Sequence, residues 1–394
     1  MGSGNFLQTL LDPPSRASVE SAILSLQNLG AVTATINGKV TLTPLGMHLA
    51  GIPAPPTVGK IIIMGSILGC HSAALAMAAG MSVGRTPFIR IENFARREGD
   101  KEEAIGDIKR QRALEAREEL FKTVGNSDHA MLAAAFLRWD SGGGERERRN
   151  YCDLIGLNAQ SMRDMKQLVN QLRSSLTAAG YDSSEESDRN MKSWRIIRAC
   201  AVAALAPSQM VRVHRPSTKY VETIGGSKEK DGEAKELKFY IRPSDGSSPK
   251  SKDSEADGSL HSINHHYHGI AEERVFVHPS SANFATGNFS CPWLVYHEMI
   301  RTSKAFLRDC TECSSYALLL FGGKLEVQAS NGVIVVADWV RLAANARIGA
   351  LIGGLRKIID ELLTRKIQDP AFDIASTVEM KLVRSLLVTD GLGQ

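Results

Sequence analysis

The sequence lacks the motifs of a nucleotide hydrolase. A phosphate-binding loop, GxxxxGK[ST], needs a hydroxyl residue after its lysine to bind Mg²⁺. Residues 59–61 read GKI and residues 323–325 read GKL, so neither segment completes the motif. Neither Ser280 nor Ser281 lies in a GxSxG segment, so the sequence does not support a serine hydrolase built on a nucleophile elbow at these serines. We therefore expect no catalytic residues here and no ATP hydrolysis by this chain alone.

Cysteine is sparse, and the longest apolar run is interrupted. The 394 residues include six cysteines and no secretory signal, which indicates reduced thiols and a cytoplasmic location, with the nucleus as the alternative. Cys310 and Cys313 have CxxC spacing but lack a second pair, so we expect no zinc site. Residues 61–83 are broken by His71, Ser72 and glycines, which favours buried helices over a membrane span.

Positive charge is only slightly in excess. The formal net charge is +4 and the pI is about 8.7, which permits an RNA partner, although a solvated surface explains the same charge. Hydrophobic residues make up 43% and charged residues 23%, as in an ordinary globular protein. A chain of 394 residues is long enough for two to four domains.

The N-terminal part predicts a helix followed by a β-hairpin. We expect Ser18 to cap a helix with one apolar face that ends at Gly30. Two β-rich runs, 31–36 and 39–43, flank the Asn-Gly pair at 37–38, which suits a type I′ turn. This order is typical of a winged helix, and a generic small α+β unit is the alternative.

The middle of the chain predicts a helical bundle. Arg163 and Lys166 lie one turn apart and are candidates for phosphate contact, with a solvated helix face as the alternative. The Asp128-His129 pair is expected to be structural rather than an acid–base dyad. Helices are predicted over 100–123, from 128 to the glycine-rich break at 141–144, over 150–176 and over 194–206.

The C-terminal half predicts strands interrupted by a polar insertion. Residues 225–268 are charged and rich in Gly and Ser, so we expect at least parts of this segment to be mobile loop. The insertion carries a histidine cluster that we do not interpret as a metal site, and an apolar stripe from Leu342 to Leu363 predicts a final helix. The histidines are His261, His265, His266 and His268, and the strands are expected over 210–214, 220–223, 275–277, 293–296, 325–328 and 333–336.

The stretch 275–311 is the candidate binding region. It predicts surface strands and loops rich in Ser, Thr, His, Lys and Arg, side chains that contact a phosphate backbone without a deep catalytic pocket. Two of the candidates have an alternative role: Ser280 as a turn cap, and Arg308 as the ion-pair partner of Glu298 or Asp309. The residues expected to face phosphate and sugar are His278, Ser280, Ser281, Thr302, Lys304 and Arg308.

Several phrases of the sequence carry a family resemblance. The binding stretch contains HPSSANF and WLVYHEMIRTSKAFLRDCT and is followed by LLLFGGKLEVQ, while the N-terminal part contains DPPSRASVESAILSLQNLGAV and LTPLGMHLAGIP. These phrases resemble the C-terminal region of DEAH-box RNA helicases. The segment WVRLAANARIGALIGGLRKIIDELLTRKIQDP is similar to an extension found in the RNA helicase A group. The resemblance spans about residues 6–388, apart from the insertion.

The resemblance implies an α+β multidomain fold and an RNA-related function. Single-stranded RNA is the implied ligand, and two RecA-like motor domains of the same protein are the implied partners. ATP and Mg²⁺ would belong to those motor domains, with no cofactor or membrane partner for this chain. Residues 1–4 (MGSG) are themselves expected to be a cloning leader. The units that the resemblance implies are a winged helix (5–65), a helical ratchet bundle (66–190), an OB-fold β-barrel (191–340, with the insertion at about 225–268) and a C-terminal helical extension (341–394).

Two alternative functions stay open at this stage. One is a protein-interaction platform, in which the winged helix, the OB surface or the insertion docks a protein cofactor of a helicase. The other is an independent hydrolase that uses Ser280 or Ser281 with a histidine.

Overall fold

Helices and strands lie in successive blocks in this computed structural model. The N-terminal block contains one helix, a short hairpin and three further helices. The structure describes residues 7, 9–34, 40–84, 86–90, 103–181, 185–215, 220–223, 226–229, 233–243, 265–369 and 371–390. The first elements are α1 (Arg16–Leu29), β1 (Val32–Ala34), β2 (Val40–Leu42), α2 (Pro44–Ala50), α3 (Pro56–Leu68) and α4 (His71–Ser82).

The N-terminal unit has the predicted order but a different helix cap. Strands β1 and β2 pair antiparallel, as expected, while residues 1–4 and the Asn-Gly pair at 37–38 lie outside the described residues. The cap of α1 is Ser15, whose hydroxyl accepts a hydrogen bond from the Ser18 amide at 3.1 Å. Ser18 itself lies within the first turn, because a capping side chain reaches the amide two or three residues ahead. Gly30 ends the helix with a φ of 83°, which confirms that prediction.

The long apolar run forms two buried helices, as predicted. Helix α3 is buried over almost its whole length, and Gly69, with a φ of 74°, ends it before α4 begins. The two helices pack closely at Gly65, where an added Cβ would lie 2.1 Å from the Ala74 Cβ. None of the helices within the described ranges combines the length and the apolar character needed to cross a membrane.

The following helices form a bundle around α4. Helix α6 packs on α4, and the break between α6 and α7 falls at the predicted glycine-rich segment 141–144. The bundle consists of α5 (Glu103–Val124), α6 (Asp128–Asp140), α7 (Glu145–Ile155), α8 (Ala159–Ala178) and α9 (Trp194–Leu205).

A six-stranded sheet follows the bundle. It has the order β10-β9-β3-β6-β8-β7, and all sequential neighbours in that order are antiparallel. A separate hairpin pairs β4 with β5. The strands are β3 (Met210–His214), β4 (Tyr220–Thr223), β5 (Gly226–Glu229), β6 (Lys238–Ile241), β7 (His265–Tyr267), β8 (Ile270–Val277), β9 (Trp293–Arg301) and β10 (Ala305–Glu312).

The strands of the predicted barrel form an open sheet in the structure. One additional pairing joins two strands that are not neighbours in the sheet order. Strand β10 also pairs in parallel with β8, over Phe306 with Phe276 and Leu307 with Val277. This two-residue contact brings the ends of the run β10-β9-β3-β6-β8 together. The face that carries Val277 and Leu307 is apolar and buried.

The segment 225–268 is not loop throughout. Strand β6 lies inside it and pairs with both β3 and β8. This strand was not predicted from the sequence, because the segments on both sides of it are polar. Its residues Phe239 and Ile241 are nevertheless buried in the sheet core. Residues 244–264 lie outside the described part of the chain.

The C-terminal part contains a small sheet and two helices. Strands β11 and β12 pair antiparallel as predicted, and β13 adds a third strand that the sequence analysis missed. Leu342 therefore lies in β13 rather than in the final helix, because Asn345 caps that helix only afterwards. The elements are α10 (Ser315–Phe321), β11 (Leu325–Gln328), β12 (Val333–Val336), β13 (Val340–Ala343), α11 (Ala346–Gln368) and α12 (Val378–Thr389).

Candidate nucleic-acid interface

A large cavity lies between the helical bundle and the six-stranded sheet. Its volume is about 1710 Å³. Helices α5, α6 and α9 contribute one wall, and the turn after β8 together with β9 and β10 contributes the other. Small-molecule sites have volumes of about 300–1,000 Å³, so this cavity has room for a longer ligand.

Asp128 joins the two walls at the start of α6. Its Oδ2 accepts hydrogen bonds from the Ser281 hydroxyl at 2.5 Å and the Cys310 amide at 2.7 Å, and its Oδ1 accepts one from the Ala282 amide at 2.8 Å. Burial raises the pKa of Asp128 to about 7, with the nearby Asp309 adding to the shift and these hydrogen bonds opposing it. The carboxylate therefore organises the junction, as expected for a structural role.

His129 belongs to the same junction. Its Nδ1 lies 2.8 Å from the Thr311 hydroxyl, which is also 2.7 Å from the Ser127 hydroxyl. Burial, with a contribution from His297, lowers the pKa of His129 to about 3. A neutral, buried ring bonded to Thr311 supports packing between α6 and β10, in line with the structural interpretation of the Asp128-His129 pair.

Three arginines that line the cavity are oriented by main-chain carbonyls. Arg117 donates to the carbonyls of Ile155 at 2.7 Å and of Ile89 and Gly156 at 2.8 Å. Burial lowers its pKa to about 10, which leaves it charged at neutral pH. The other two donate in the same way, Arg195 to Val388 and Arg198 to Gly125.

Four of the eight predicted RNA-binding residues line this cavity. His278 and Ser280 form the turn after β8, where the His278 Nδ1 lies 2.7 Å from the Ser280 hydroxyl. Arg308 lies on β10 and faces Glu298 at 3.4 Å, the pairing that the sequence suggested. Ser281 is only 6% exposed, and its hydroxyl is bonded to Asp128, so it shapes the turn and has little surface for a ligand.

The other four residues lie away from the cavity. Thr302 and Lys304 form the exposed turn between β9 and β10, where the Thr302 amide donates to the Lys304 carbonyl at 3.0 Å. On α8, Arg163 faces Glu145 at 3.7 Å, and Lys166 is bonded to Asp140 at 2.6 Å. The structure therefore does not gather the eight residues into one site.

Comparisons with known proteins cover both walls of the cavity. Three family profiles match: the helicase associated domain (HA2), ratchet-like, at 55–132, the oligonucleotide/oligosaccharide-binding (OB)-fold at 247–325, and the C-terminal domain in RNA helicases at 332–389. The human ATP-dependent DNA/RNA helicase DHX36 is 31% identical over 378 residues, which cover 94% of this chain and 31% of that protein. The Arabidopsis thaliana DExH-box ATP-dependent RNA helicase DExH1 is 30% identical over 391 residues, 98% of this chain and 32% of that protein.

The chain belongs to the DEAH-box helicase family. It corresponds to the C-terminal region of these helicases and spans about a third of the length of the two relatives. In this DEAH-box region, the ratchet-like match includes α3 and α4, and the OB-fold match includes β8, β9 and β10. The helix–hairpin unit before residue 55 lies outside the three matched ranges.

The cavity arginines are the functional candidates that sequence reasoning missed in this helicase region. Arg195 and Arg198 are three residues apart on α9, a spacing that places both on one helix face. That spacing was the signal from which a basic helix face could have been predicted. The apolar residues around the two arginines instead favoured the interpretation of α9 as a core helix.

Metal ligation has no support in the described part of this helicase region. No group of three or more His, Cys, Asp or Glu side chains converges there. Cys310 and Cys313 are both buried, and burial raises the pKa of each thiol well above its ordinary value. His261 lies outside the described residues.

Proposed function

We propose that this chain is an auxiliary region that holds single-stranded RNA while the RecA-like motor domains of the same protein unwind or remodel it. The observation that carries the proposal is the cavity of about 1710 Å³ between the helical bundle and the sheet. Its size suits a polymer strand better than a small molecule. Two walls from different units of the chain would enclose the strand from opposite sides.

Three arginines of the cavity are suited to an anionic ligand, and acidic residues line the cavity as well. Arg117, Arg195 and Arg198 donate to carbonyls, which orient a guanidinium without neutralising its charge. Two of the lining acids already face cations, Glu298 with Arg308 and Glu118 with Lys122. Guanidinium groups held in this way are suited to phosphate oxygens.

The predicted residues contribute unequally to the proposed contact. His278, Ser280 and Arg308 line the cavity and are proposed to contact phosphate or sugar, while Ser281 acts by shaping the turn. Thr302 and Lys304 would extend the contact along the sheet edge. Arg163 and Lys166 each face a carboxylate on the bundle, so we expect smaller effects from them.

The wider setting of this region is also a proposal. ATP and Mg²⁺ would be bound by the motor domains, and the subgroup would be the RNA helicase A group, in the cytoplasm or the nucleus. We also propose that the helix–hairpin unit is a winged helix. The β10–β8 contact supports completion of an OB-type barrel, since it joins the two ends of a five-strand run.

Photo-crosslinking tests the RNA path directly. The full chain would be irradiated with a single-stranded RNA that carries 4-thiouridine, and the crosslinked peptides would be mapped by mass spectrometry. We expect crosslinks in the turn 278–286 and at the α5–α6 junction, and we expect unlabelled RNA to compete for them. Crosslinks confined to surfaces outside the cavity would contradict the proposal.

A docking role is the second candidate. Exposed apolar side chains lie on the helix–hairpin unit: Leu24 is 44% exposed, Leu42 54% and Met47 51%. We propose that these side chains pack against the motor domains, and a protein cofactor is the alternative occupant. Sedimentation of the chain with its own motor domains tests this contact: Met47→Ser should weaken association, and unchanged association would exclude the surface.

A further inference from the structure

Two phenylalanines form a pair on the outer face of the six-stranded sheet. Phe276 on β8 and Phe306 on β10 are register partners in the parallel contact, and their ring centroids are 6.0 Å apart. Their neighbours Val275, Val277 and Leu307 are buried in the sheet core. Because successive side chains of a strand point to opposite faces, the two rings project away from that core.

The same face carries cations on both sides of the ring pair. The Lys304 Nζ lies 4.7 Å from the Phe276 centroid, and the Arg274 guanidinium carbon lies 5.1 Å from it. The His278 ring lies 5.9 Å from the Phe306 ring. We call this set the β8–β10 strip, and its members are Arg274, Phe276, His278, Lys304, Phe306 and Arg308.

The spacing along the two strands explains the pattern. The strip uses every second residue of each strand, and such residues share one face of a sheet. Extending the observed register by two residues in each direction places Lys304 beside Arg274 and Arg308 beside His278. The ring pair therefore lies between Lys304 with Arg274 on one side and Arg308 with His278 on the other.

The strip is continuous with the cavity at one end. His278 and Arg308 line the cavity, whereas Lys304 lies in the exposed turn at the other end. Four residues of strand span about 13 Å at about 3.3 Å each. A strand of RNA that leaves the cavity past Arg308 would therefore meet the rings next.

A purely structural role accounts poorly for the ring pair. Within the described residues, neither ring is part of the buried hydrophobic clusters or of the half-buried side chains packed against them. Single exposed apolar residues are ordinary on protein surfaces. Two half-buried rings in contact, with a lysine and an arginine over one of them, instead offer an aromatic surface beside positive charge.

We propose that Phe276 and Phe306 form a base-stacking site for unpaired bases of single-stranded RNA, with Lys304 and Arg274 contacting the adjacent phosphates. The inference rests on the proposed RNA path through the cavity and assigns it a continuation on the outer face of the sheet. Aromatic rings accept any base, because every base presents a π face, so this site contributes affinity with little sequence preference. Lys304 is exposed and can leave its ring to meet a phosphate when a base stacks there.

The test compares two oligomers of equal length and charge. One is a fluorescent single-stranded RNA, and the other has the same backbone with every base replaced by hydrogen. Their affinities would be measured for the full chain and for Phe276→Leu and Phe306→Leu, which keep an apolar side chain but remove the π face. The control is Phe372→Leu, because Phe372 is also a half-buried ring with an arginine over it, Arg365 at 4.0 Å, but lies in the C-terminal part outside the strip and the cavity.

Each outcome decides the inference. The unaltered chain should prefer the base-bearing oligomer, and each strip variant should lose about tenfold in affinity for it, with base-free binding unchanged. Equal binding of the two oligomers by the unaltered chain would overturn the stacking site but leave the phosphate contact of the proposed function intact. If both strip variants kept the full preference for the base-bearing oligomer, the stacking site would also be overturned. If the unaltered chain bound neither oligomer, both proposals would be overturned.

Discussion

The Asp128 carboxylate accepts the hydroxyl hydrogen bond of Ser281 across the junction between the helical bundle and the six-stranded sheet. The two residues are 153 positions apart in the chain, yet this bond and those from Ala282 and Cys310 fix the start of α6 against β10 and the turn after β8. The geometry of the cavity depends on that junction, because Asp128 and Ser281 both line it.

The pH dependence of stability should reveal the buried carboxyl of Asp128. Its pKa is raised from 3.8 to about 7, so between these values the folded chain holds a proton that the unfolded chain has released. The contribution of this group to the free energy of unfolding therefore falls as pH rises through that window, then levels off. Urea denaturation of the chain and of Asp128→Asn should show a stability difference that decreases from about pH 5 to about pH 8.

A second variant sharpens this experiment. Ser281→Ala removes one of the hydrogen bonds that lower the pKa of Asp128, so the decrease should extend to higher pH. A stability difference that grows with pH would mean that the hydrogen bonds to the carboxylate outweigh its burial.

Adjacent glutamates on β8 should differ sharply in their effect on stability. Glu272 is 1% exposed, binds buried Arg212 through two hydrogen bonds and accepts the Trp339 indole at 3.1 Å. Glu272→Gln leaves the buried guanidinium unneutralised, so we expect a loss of about 3–5 kcal/mol in the free energy of unfolding. Glu273 instead pairs with exposed Arg301, so Glu273→Gln should cost only about 0–1 kcal/mol.

Chemical denaturation of the two glutamine variants measures this difference. Equal losses of unfolding free energy in the two variants would contradict the assignment of Glu272, with Arg212 and Trp339, as the buried link between the six-stranded sheet and the C-terminal part.

Lys304 should contribute one phosphate contact. Lys304→Ala is expected to lower RNA affinity and to reduce the slope of log affinity against log salt by about one unit, because one fewer counterion is released. Lys324→Ala is the matched control, since Lys324 is exposed on the small C-terminal sheet and faces Asp338. Fluorescence anisotropy across a salt series measures both, and an unchanged slope for Lys304→Ala would remove Lys304 from the interface.

Local patterns predicted much of the secondary structure because its signals lie within a few residues. Gly30 ends α1, the glycine-rich segment 141–144 separates α6 from α7, and the long apolar run folds into two buried helices. Short elements were harder to predict. Strand β6 is masked by polar neighbours, and β13 has apolar residues that also fit a helical stripe.

The candidate site was predictable only by residue type. The sequence pointed to His278, Ser280 and Arg308, but their meeting with Arg117 and Arg198 depends on contacts between segments 80 or more residues apart. The ring pair was missed for the same reason. Phe276 and Phe306 are 30 positions apart and become neighbours only through the parallel contact of β8 with β10.

Binding of the full chain to a fluorescent single-stranded RNA across a salt series tests the central claim most directly. Several phosphate contacts should give measurable binding that weakens steeply as salt rises, with a slope of several units. Arg198→Met should reduce that slope, because Arg198 lies in the cavity wall. An absence of binding at low salt would contradict the claim that this region holds RNA by itself.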